Sequence, residues 1–350
     1  MHRDLVVIGA SAGGVEALRD LLAGLPRDLP AAVLVVLHMP SSGRSALPAI
    51  LARVSALRVS AAEDGMRLEP GTVVVAVPDR HLMVADGHVQ LSRGPRENGC
   101  RPAVDVLFRS AARAHGPRVV SVVLSGALDD GTAGTIAVRA RGGATVAQDP
   151  GEALYPSMPL HAVEVGGADH VAALAELPRL LDRLVREEVD AVAPAPTPLM
   201  TTETEMARLD GEAMDEDARP GTPSGFGCPS CHGALFSISE GGMERYRCRV
   251  GHAWSPEALA AEQAQALEGA LWMALRGLEE RAALSLRMGL RAEDGGHRHS
   301  ALAFRRRHDE ALGAAALLRN LLERGALNGE GVPDQVDDEL GDPATGAAGA

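Results

Sequence analysis

Short apolar runs alternate with helical stripes along the first half of the chain. Nearly unbroken apolar runs at 5–8, 31–37, 72–77, 119–124 and 144–147 are typical of strands that are buried on both faces. Between them, segments such as 15–25 and 102–116 carry apolar residues three or four positions apart, which predicts helices. The alternation predicts an α/β domain over residues 1–188, with a doubly wound, mainly parallel sheet.

The second half of the chain changes character. Residues 189–226 are acidic and rich in Pro and Thr, so we expect a disordered linker there. Residues 227–255 contain paired Cys and His residues around a predicted β-hairpin, and 256–327 carry the spacing of a helical hairpin. This hairpin is expected to pack on the preceding module, to self-associate or to bind a signalling partner. The Gly-, Asp- and Ala-rich tail at 328–350 is expected to be disordered.

Composition narrows the class of protein. Hydrophobic residues make up 46% of the chain, which supports a globular body, and the net charge of −13 argues against a nucleic-acid partner. No apolar run reaches membrane-spanning length, and the N-terminus runs into a core strand where a signal peptide would stand. We therefore expect a cytoplasmic protein that does not insert into membranes.

The loop at residues 9–14, GASAGG, joins the first predicted strand to the first predicted helix. It fits the pattern G-x-S-x-G, in which a tight turn presents a serine hydroxyl at the edge of a sheet. A dinucleotide-binding turn would require G-x-G-x-x-G, and Ser11 interrupts that pattern. The alternative is a glycine-rich turn whose serine has no chemical role.

Ser11, His38 and Asp130 each follow the end of a predicted apolar strand. In a parallel sheet these ends share one edge, where ligands bind. Serine needs an imidazole to take its proton and a carboxylate to orient that imidazole, so the three residue types predict a hydrolytic triad. Their order along the chain differs from the Ser, Asp, His order of α/β-hydrolases.

Six groups of residues, in the same order, resemble the catalytic domain of the CheB-type chemotaxis receptor methylesterases over roughly residues 3–188. They are GASAGG at 9–14, HMP at 38–40, PDRHL at 78–82, RPAVDVLFRSAA at 101–112, LSGALDDG at 124–131, and AQD with YPSMP between 147 and 159. The resemblance implies hydrolysis of γ-glutamyl methyl esters on chemoreceptors without a cofactor, and many members also deamidate receptor glutamines.

The resemblance also implies roles for individual residues. Ser11 would be the nucleophile, His38 the general base and acid, and Asp130 the carboxylate that orients His38. Backbone amides in the loops at Ala127 and Ala12 would hold the oxyanion. The family has its acid directly before a glycine, which selects Asp130 over its neighbour Asp129, and we interpret Asp129 as a solvated loop acid. His81 and His161 are interpreted as structural or rim histidines.

Other features bear on specificity and control. Arg93, Arg96 and Arg101 form a predicted exposed basic cluster, which is either an ordinary solvated surface or a means of steering an acidic receptor helix. Members of the family commonly have Thr at the position of Ala12, Met at Ala127 and His at Cys100. Their usual N-terminal receiver domain has no counterpart before the first strand, so we expect no control by an attached receiver.

Cys228, Cys231, Cys248 and His252 form C-x2-C and C-x3-H pairs separated by sixteen residues. This spacing predicts a structural Cys3His zinc site of the zinc-ribbon type. Residues 228–232 also read C-x-x-C-H, a haem-attachment pattern that would leave Cys248 and His252 unexplained. A second interpretation of the whole protein is a non-catalytic signalling scaffold that binds partners through this C-terminal region.

Overall fold

The structure is a computed structural model that describes residues 1–43, 45–190, 192, 194–209 and 221–324. The chain forms two compact units, residues 1–262 and residues 263–350. The first unit therefore contains both the predicted α/β domain and the predicted Cys3His module. Within the described residues, no helix is both long and apolar enough to cross a membrane.

A parallel sheet of seven strands organises the first unit. Its strands are β1 (Leu5–Ala10), β2 (Ala32–Leu37), β3 (Arg58–Ala61), β4 (Thr72–Val75), β7 (Val119–Val123), β8 (Ala144–Gln148) and β9 (His170–Ala172). Strands β5 (His81–Ala85) and β6 (His88–Ser92) form a separate antiparallel hairpin between β4 and β7 in the chain. The strand order in the sheet is β3-β4-β2-β1-β7-β8-β9. Because β1 and β2 are fully buried along their length, both are apolar at every position.

Helices cover both faces of this sheet. They are α1 (Gly14–Gly24), α2 (Leu47–Ala52), α3 (Val104–His115), α4 (Thr132–Ala140), α5 (Ser157–Glu164), α6 (Leu177–Arg186) and α7 (Pro198–Arg208). Leu18 and Leu181 belong to the apolar layer on one face, whereas Phe108, Val138 and Met158 belong to the layer on the other. The doubly wound α/β fold predicted from the sequence is confirmed.

Helix α7 corrects the expectation of a disordered linker over 189–226. The Thr197 hydroxyl caps its first turn by accepting from the Met200 amide at 3.0 Å. Met200, Glu203 and Met206 are buried, so one face of the helix packs on the domain. This buried face cannot be recognised in the sequence, because the charged Glu203 lies among its apolar residues. The arginines that pair with Glu203 are more than forty residues away in the chain. Residues 210–220 lie outside the described residues.

The C-terminal part of the first unit is a small antiparallel sheet. Its strands are β10 (Thr222–Gly227), β11 (Ala234–Glu240), β12 (Met243–Cys248) and β13 (Ala253–Trp254). Strands β11 and β12 form the hairpin predicted between the two pairs of metal-ligand residues. Trp254 is buried in the small core of this sheet.

Two long helices follow, α8 (Pro256–Asp294) and α9 (Arg298–Glu323). Within the second unit they are antiparallel, because contacts pair Glu293 with Arg305 near the turn and Glu279 with Arg319 far from it. Between these pairs, His308 Nδ1 bonds the Ala282 carbonyl at 2.9 Å. The structure thus contains the predicted helical hairpin, whereas the predicted disordered tail at 328–350 lies outside the described residues.

Candidate active site

Ser11 and His38 follow the ends of two adjacent strands. Strands β1 and β2 pair in register up to Ala10 opposite Leu37, so the next residue on each strand is Ser11 or His38. The His38 amide continues the ladder by donating to the Ala10 carbonyl at 3.1 Å. On the other side, the Ser11 amide donates to the Ser125 carbonyl at 3.0 Å, which ties the serine turn to the loop after β7.

Gly126 lets this second loop approach the serine. A Cβ added at Gly126 would lie 2.1 Å from Met158 Sδ and 2.9 Å from Ser11 Cβ. The backbone is therefore packed directly against Ser11, and no larger residue fits without movement of Met158 or the loop. The half-buried Ser11 remains accessible at the edge of the sheet.

His38 and Asp130 are in direct contact. His38 Nε2 lies 2.7 Å from Asp130 Oδ2, and the Asp130 side chain is only 3% exposed. Because an ionised carboxylate can only accept, Nε2 carries the hydrogen, and in the neutral imidazole Nδ1 is then the basic nitrogen. The predicted His and Asp partners are thus brought together by the fold.

Asp130 also binds the N-terminus of helix α3. It accepts from the Val104 amide at 2.7 Å and from the Asp105 amide at 3.1 Å. Burial raises the pKa of Asp130, but hydrogen bonds from His38 and from these two amides outweigh it, and the net pKa is below the ordinary value. The carboxylate is therefore ionised, and its orientation is fixed by a rigid helix.

Asp105 makes the reciprocal contact with helix α4. Its Oδ1 accepts from the Gly131 amide at 3.0 Å and from the Gly134 amide at 2.7 Å. Burial, together with the nearby charge of Asp130, raises the pKa of Asp105 well above its ordinary value. Asp130, just before α4, thus bonds the first amides of α3, and Asp105 of α3 bonds amides at the start of α4. These reciprocal bonds hold the N-termini of the two helices together next to the site.

Sequence reasoning missed two residues that support Asp130. Asp105 lies in the first turn of α3, where an acid stabilises the helix dipole. This position at the start of a predicted helix could have marked Asp105 as a candidate in the sequence. Asn98 donates through Nδ2 to both Asp130 Oδ1 and Asp105 Oδ2, at 3.3 Å in each case. No local pattern marks Asn98 as a partner of Asp130, because the two residues are 32 positions apart in the chain.

The pKa of His38 reflects opposing effects. Burial lowers it, but the neighbouring Cys100 sulfur and the contact with Asp130 together raise the pKa well above 6.5. The His38 side chain is 16% exposed, so it remains accessible from solvent.

The other acids and histidines have different roles. The interpretation of Asp129 as a solvated loop acid is wrong, because the residue is buried and accepts a 2.6 Å hydrogen bond from Ser255 Oγ. His81 is fully buried between the Pro95 carbonyl and the Ala103 amide, and burial lowers its pKa to about 4. His161 bonds the Ser157 carbonyl in its own helix at 2.8 Å. Both histidines thus bond to backbone groups.

The predicted basic cluster is only partly exposed. Arg93 is exposed, but Arg101 is largely buried, its Nε donating to Asp79 at 3.0 Å and its Nη1 to the Gly94 carbonyl at 2.8 Å. Arg96 Nη1 donates to the Gly99 carbonyl at 3.1 Å. The expectation of three exposed arginines is therefore wrong, because two of them brace the loop that carries Asn98.

The predicted oxyanion residues flank Ser11. Ala12 follows the serine directly, and Ala127 follows Gly126, whose backbone contacts Ser11. In the described part of the chain, neither the Ala12 nor the Ala127 amide donates a hydrogen bond to another protein group.

The four predicted metal ligands form one cluster within the described residues. The ligand atoms of Cys228, Cys231, Cys248 and His252 all lie within 4.8 Å of one another. The Cys231 and Cys248 sulfurs are 3.6 Å apart, and His252 Nδ1 lies 3.5 Å from Cys248 Sγ and 3.8 Å from Cys228 Sγ. Tetrahedral zinc with Zn–S bonds of about 2.3 Å would separate two sulfurs by about 3.8 Å, so the cluster fits that ion.

The fold and this edge of the sheet define an α/β protein with a serine, a histidine and a buried carboxylate at the ends of parallel strands. Residues 6–181 match the family model described as CheB methylesterase. The chain is also similar to the solved "CheB methylesterase catalytic domain" of Thermotoga maritima, with 35% identity and a TM-score of 0.51, covering 53% of this chain and all of that one. The chain belongs to the CheB methylesterase family.

Full-length relatives agree with this assignment. The chain is 40% identical over 192 residues to a "Protein-glutamate methylesterase/protein-glutamine glutaminase 2" of Methanosarcina mazei, covering 53% of this chain and 52% of that protein. It is 42% identical over 186 residues to a similarly named protein of Anaeromyxobacter dehalogenans, covering 52% and 51%. The chain thus spans about half the length of the curated relatives it matches.

Proposed function

We propose that the protein is a serine hydrolase that removes methyl esters from γ-glutamyl methyl ester residues of chemoreceptors. The observation that carries the proposal is the His38 Nε2 to Asp130 Oδ2 hydrogen bond of 2.7 Å beside Ser11, in a chain of this family. The relatives' names supply the ester and amide substrates. The predicted cytoplasmic location and self-association remain predictions.

In the proposed reaction, Ser11 Oγ attacks the ester carbonyl while His38 Nδ1 takes its proton. Asp130 stabilises the resulting imidazolium, and its helix contacts hold it in place. The Ala12 and Ala127 amides are the proposed donors to the oxyanion of the tetrahedral intermediate. Collapse of that intermediate passes the proton to the departing methanol and leaves an acyl-serine.

Water then completes the cycle. His38 takes a proton from the water as it attacks the acyl-serine, and the second tetrahedral intermediate releases glutamate while Ser11 regains its proton. The same steps convert glutamine to glutamate if ammonia leaves in place of methanol. We therefore include receptor-glutamine deamidation in the proposal.

We also propose that Cys228, Cys231, Cys248 and His252 hold one structural zinc ion. The sulfur and nitrogen spacings support a tetrahedral set with no open position, and such an ion would cross-link the two ends of the β11–β12 hairpin. The haem interpretation is disfavoured, because Cys228 and Cys231 face Cys248 and His252 at distances that suit a single shared ion.

Methanol release from a methylated receptor fragment tests the enzyme proposal. Wild-type protein is expected to release methanol, Ser11→Ala to lose at least about a thousandfold in kcat, and Ser237→Ala to match wild type. Ser237 is a suitable control because its hydroxyl only meets exposed Glu244 in the small sheet. Equal release by wild type and Ser11→Ala would contradict the proposal. Metal analysis should give one zinc per chain, and a Soret band would contradict the zinc assignment.

A further inference from the structure

The small C-terminal sheet is bonded directly to the loop that supports Asp130. The Ala253 amide donates to the Arg96 carbonyl at 3.2 Å, and the Asn98 amide donates to the Ala253 carbonyl at 2.8 Å. The Ser255 amide then donates to Asn98 Oδ1 at 2.8 Å. Residues 253–255 therefore hold both the backbone and the side chain of Asn98.

The side-chain amide of Asn98 joins this sheet to the candidate active site. Its oxygen accepts from Ser255, whereas its nitrogen donates at 3.3 Å to Asp130 and to Asp105. Only one orientation of the amide suits Ser255 and Asp130, because a backbone N–H can only donate and the ionised Asp130 carboxylate can only accept. One rigid, planar group thus links the Cys3His module to the carboxylate that binds His38.

Ser255 makes a second contact beside the first. Its hydroxyl donates to Asp129 Oδ1 at 2.6 Å and accepts from the Ala258 amide at 3.0 Å as the cap of α8. Asp129 directly precedes Asp130, so Ser255 bonds one of these two acids directly and is linked to the other through Asn98. Ser255 and Asp129 are both buried.

Buried ion pairs fasten the module at this place. Glu97, next to Asn98, pairs with Arg109 of α3 at 2.6 Å and with Arg247 of β12 at 3.0 Å. Glu203 of α7 pairs with Arg247 at 2.7 Å and with Arg245 at 2.8 Å. Because unpaired buried charges are costly, the network favours a single docked arrangement of module and domain.

We infer that Asn98 is a positioning residue for Asp130, and that the Cys3His module is a built-in support of the catalytic centre through residues 253–255. The inference rests on the proposed function, but its basis is the hydrogen-bond chain from the module to the carboxylate. If the contacts of residues 253–255 with Asn98 were lost, Asn98 would no longer be held in place. Asp130 would then keep its bonds to His38 and to the two α3 amides but lose the bond from Asn98. Turnover would then fall while substrate binding stayed unchanged.

Two substitutions at Asn98 test its role in the full-length protein. Asn98 has φ of 51°, a conformation that glycine adopts freely and aspartate tolerates, so neither change strains the backbone. Asn98→Gly is expected to lower kcat about tenfold with KM unchanged, which corresponds to the loss of one hydrogen bond to a charged group. Ser237→Ala, in the same module, is the control with wild-type kcat. An unchanged kcat in Asn98→Gly would overturn the inference.

Asn98→Asp tests the same role through the pKa of His38, which would not change if Asn98 only stabilised the fold. It keeps an acceptor for the Ser255 amide but puts a negative charge beside Asp130, which stabilises the imidazolium of His38. The His38 pKa, measured by NMR and assigned with His38→Gln, is expected to rise. A His38 pKa equal to that of wild type would overturn the inference. This measurement needs no substrate, so it still decides the role of Asn98 if no esterase activity is found.

The support by the module is tested by loosening its metal cluster. In Cys231→Ser protein shown to lack zinc, hydrogen exchange of the Asn98, Val104 and Asp105 amides is expected to accelerate, whereas that of strand β1 stays slow. If wild type is active, kcat of this variant should fall with KM unchanged. Unchanged exchange at Asn98 in the zinc-free variant would overturn the role of the module. A wild type without methanol release would instead overturn the proposed function.

Discussion

His38 Nε2 and Asp130 Oδ2 lie 2.7 Å apart although 92 residues separate them in the chain. Each stands at the carboxyl end of the sheet, and Asp130 is fixed there by the first two amides of helix α3. The contact determines which imidazole nitrogen is basic and keeps a buried carboxylate charged. Its removal should therefore affect chemistry more than stability.

Asp130→Asn tests this contact. The substitution keeps the shape of the side chain but allows the wrong imidazole tautomer and removes the charge that stabilises the imidazolium. We expect kcat for methanol release to fall by about a thousandfold or more, with KM little changed. Asp182→Asn, on the surface of α6, is the matched control and should behave as wild type. A loss smaller than tenfold in Asp130→Asn would show that the carboxylate is not needed.

The pH dependence of kcat/KM should reflect the raised pKa of His38. The base must be neutral to accept the serine proton, so activity is lost as pH falls through this pKa. Because the neighbouring Cys100 sulfur and the Asp130 contact together outweigh burial and raise the pKa of His38 well above 6.5, the acidic limb should lie above pH 6.5 in wild type. In Asp130→Asn the residual activity should show this limb at lower pH. An acidic limb at or below pH 6.5 in wild type would contradict the assignment of His38.

The same pair links stability to pH. A raised His38 pKa stabilises the folded state below the unfolded value, and this contribution is lost as pH rises through the folded pKa. The lowered pKa of Asp130 acts oppositely, because its contribution is lost as pH falls through the acidic range. Urea unfolding should therefore show the largest wild-type advantage over Asp130→Asn between these limits, near pH 5 to 6. A difference that does not vary with pH would exclude this coupling.

Gly126→Ala tests the close approach of the loop to Ser11. The added methyl group would collide with Met158 Sδ and Ser11 Cβ, so the loop that carries Ala127 must move. We expect kcat to fall at least tenfold and the free energy of unfolding to fall by about 1–3 kcal/mol. Gly269→Ala is the control, because that glycine lies in helix α8 with open space around it and alanine favours helix. Wild-type kcat in Gly126→Ala would show that the loop has no part in catalysis.

Glu203→Ala tests the buried ion pairs. Glu203 is fully buried against Arg245 and Arg247, so its removal leaves two buried guanidinium groups with too little negative charge. We expect a loss of about 3–5 kcal/mol in the unfolding free energy of the first unit, measured by urea denaturation. Glu205→Ala, two residues away on the same helix, breaks only a partly exposed pair with Arg113 and should cost about 1 kcal/mol or less. Equal losses in both variants would show that burial adds nothing.

The sequence by itself determined the strands and helices of the α/β domain and the reactive residues that follow its strands. Continuous apolar runs specify strands buried on both faces, so the parallel sheet, and the positions of Ser11 and His38 beyond its strands, could be predicted. The Cys and His spacing specified the ligand cluster, because two short turns joined by a hairpin bring four such side chains together. These features depend on local periodicity and on rules of sheet topology.

Only the tertiary structure decided what supports Asp130. The burial of Asp129, the amide bridge of Asn98 and the ordering of α7 all depend on groups from distant segments. Polar residues such as Glu203 look solvent-exposed in a sequence, because nothing local shows that arginines from another segment will neutralise them. Buried charges are tolerated only when a particular packing supplies their partners, and that packing is a property of the whole fold.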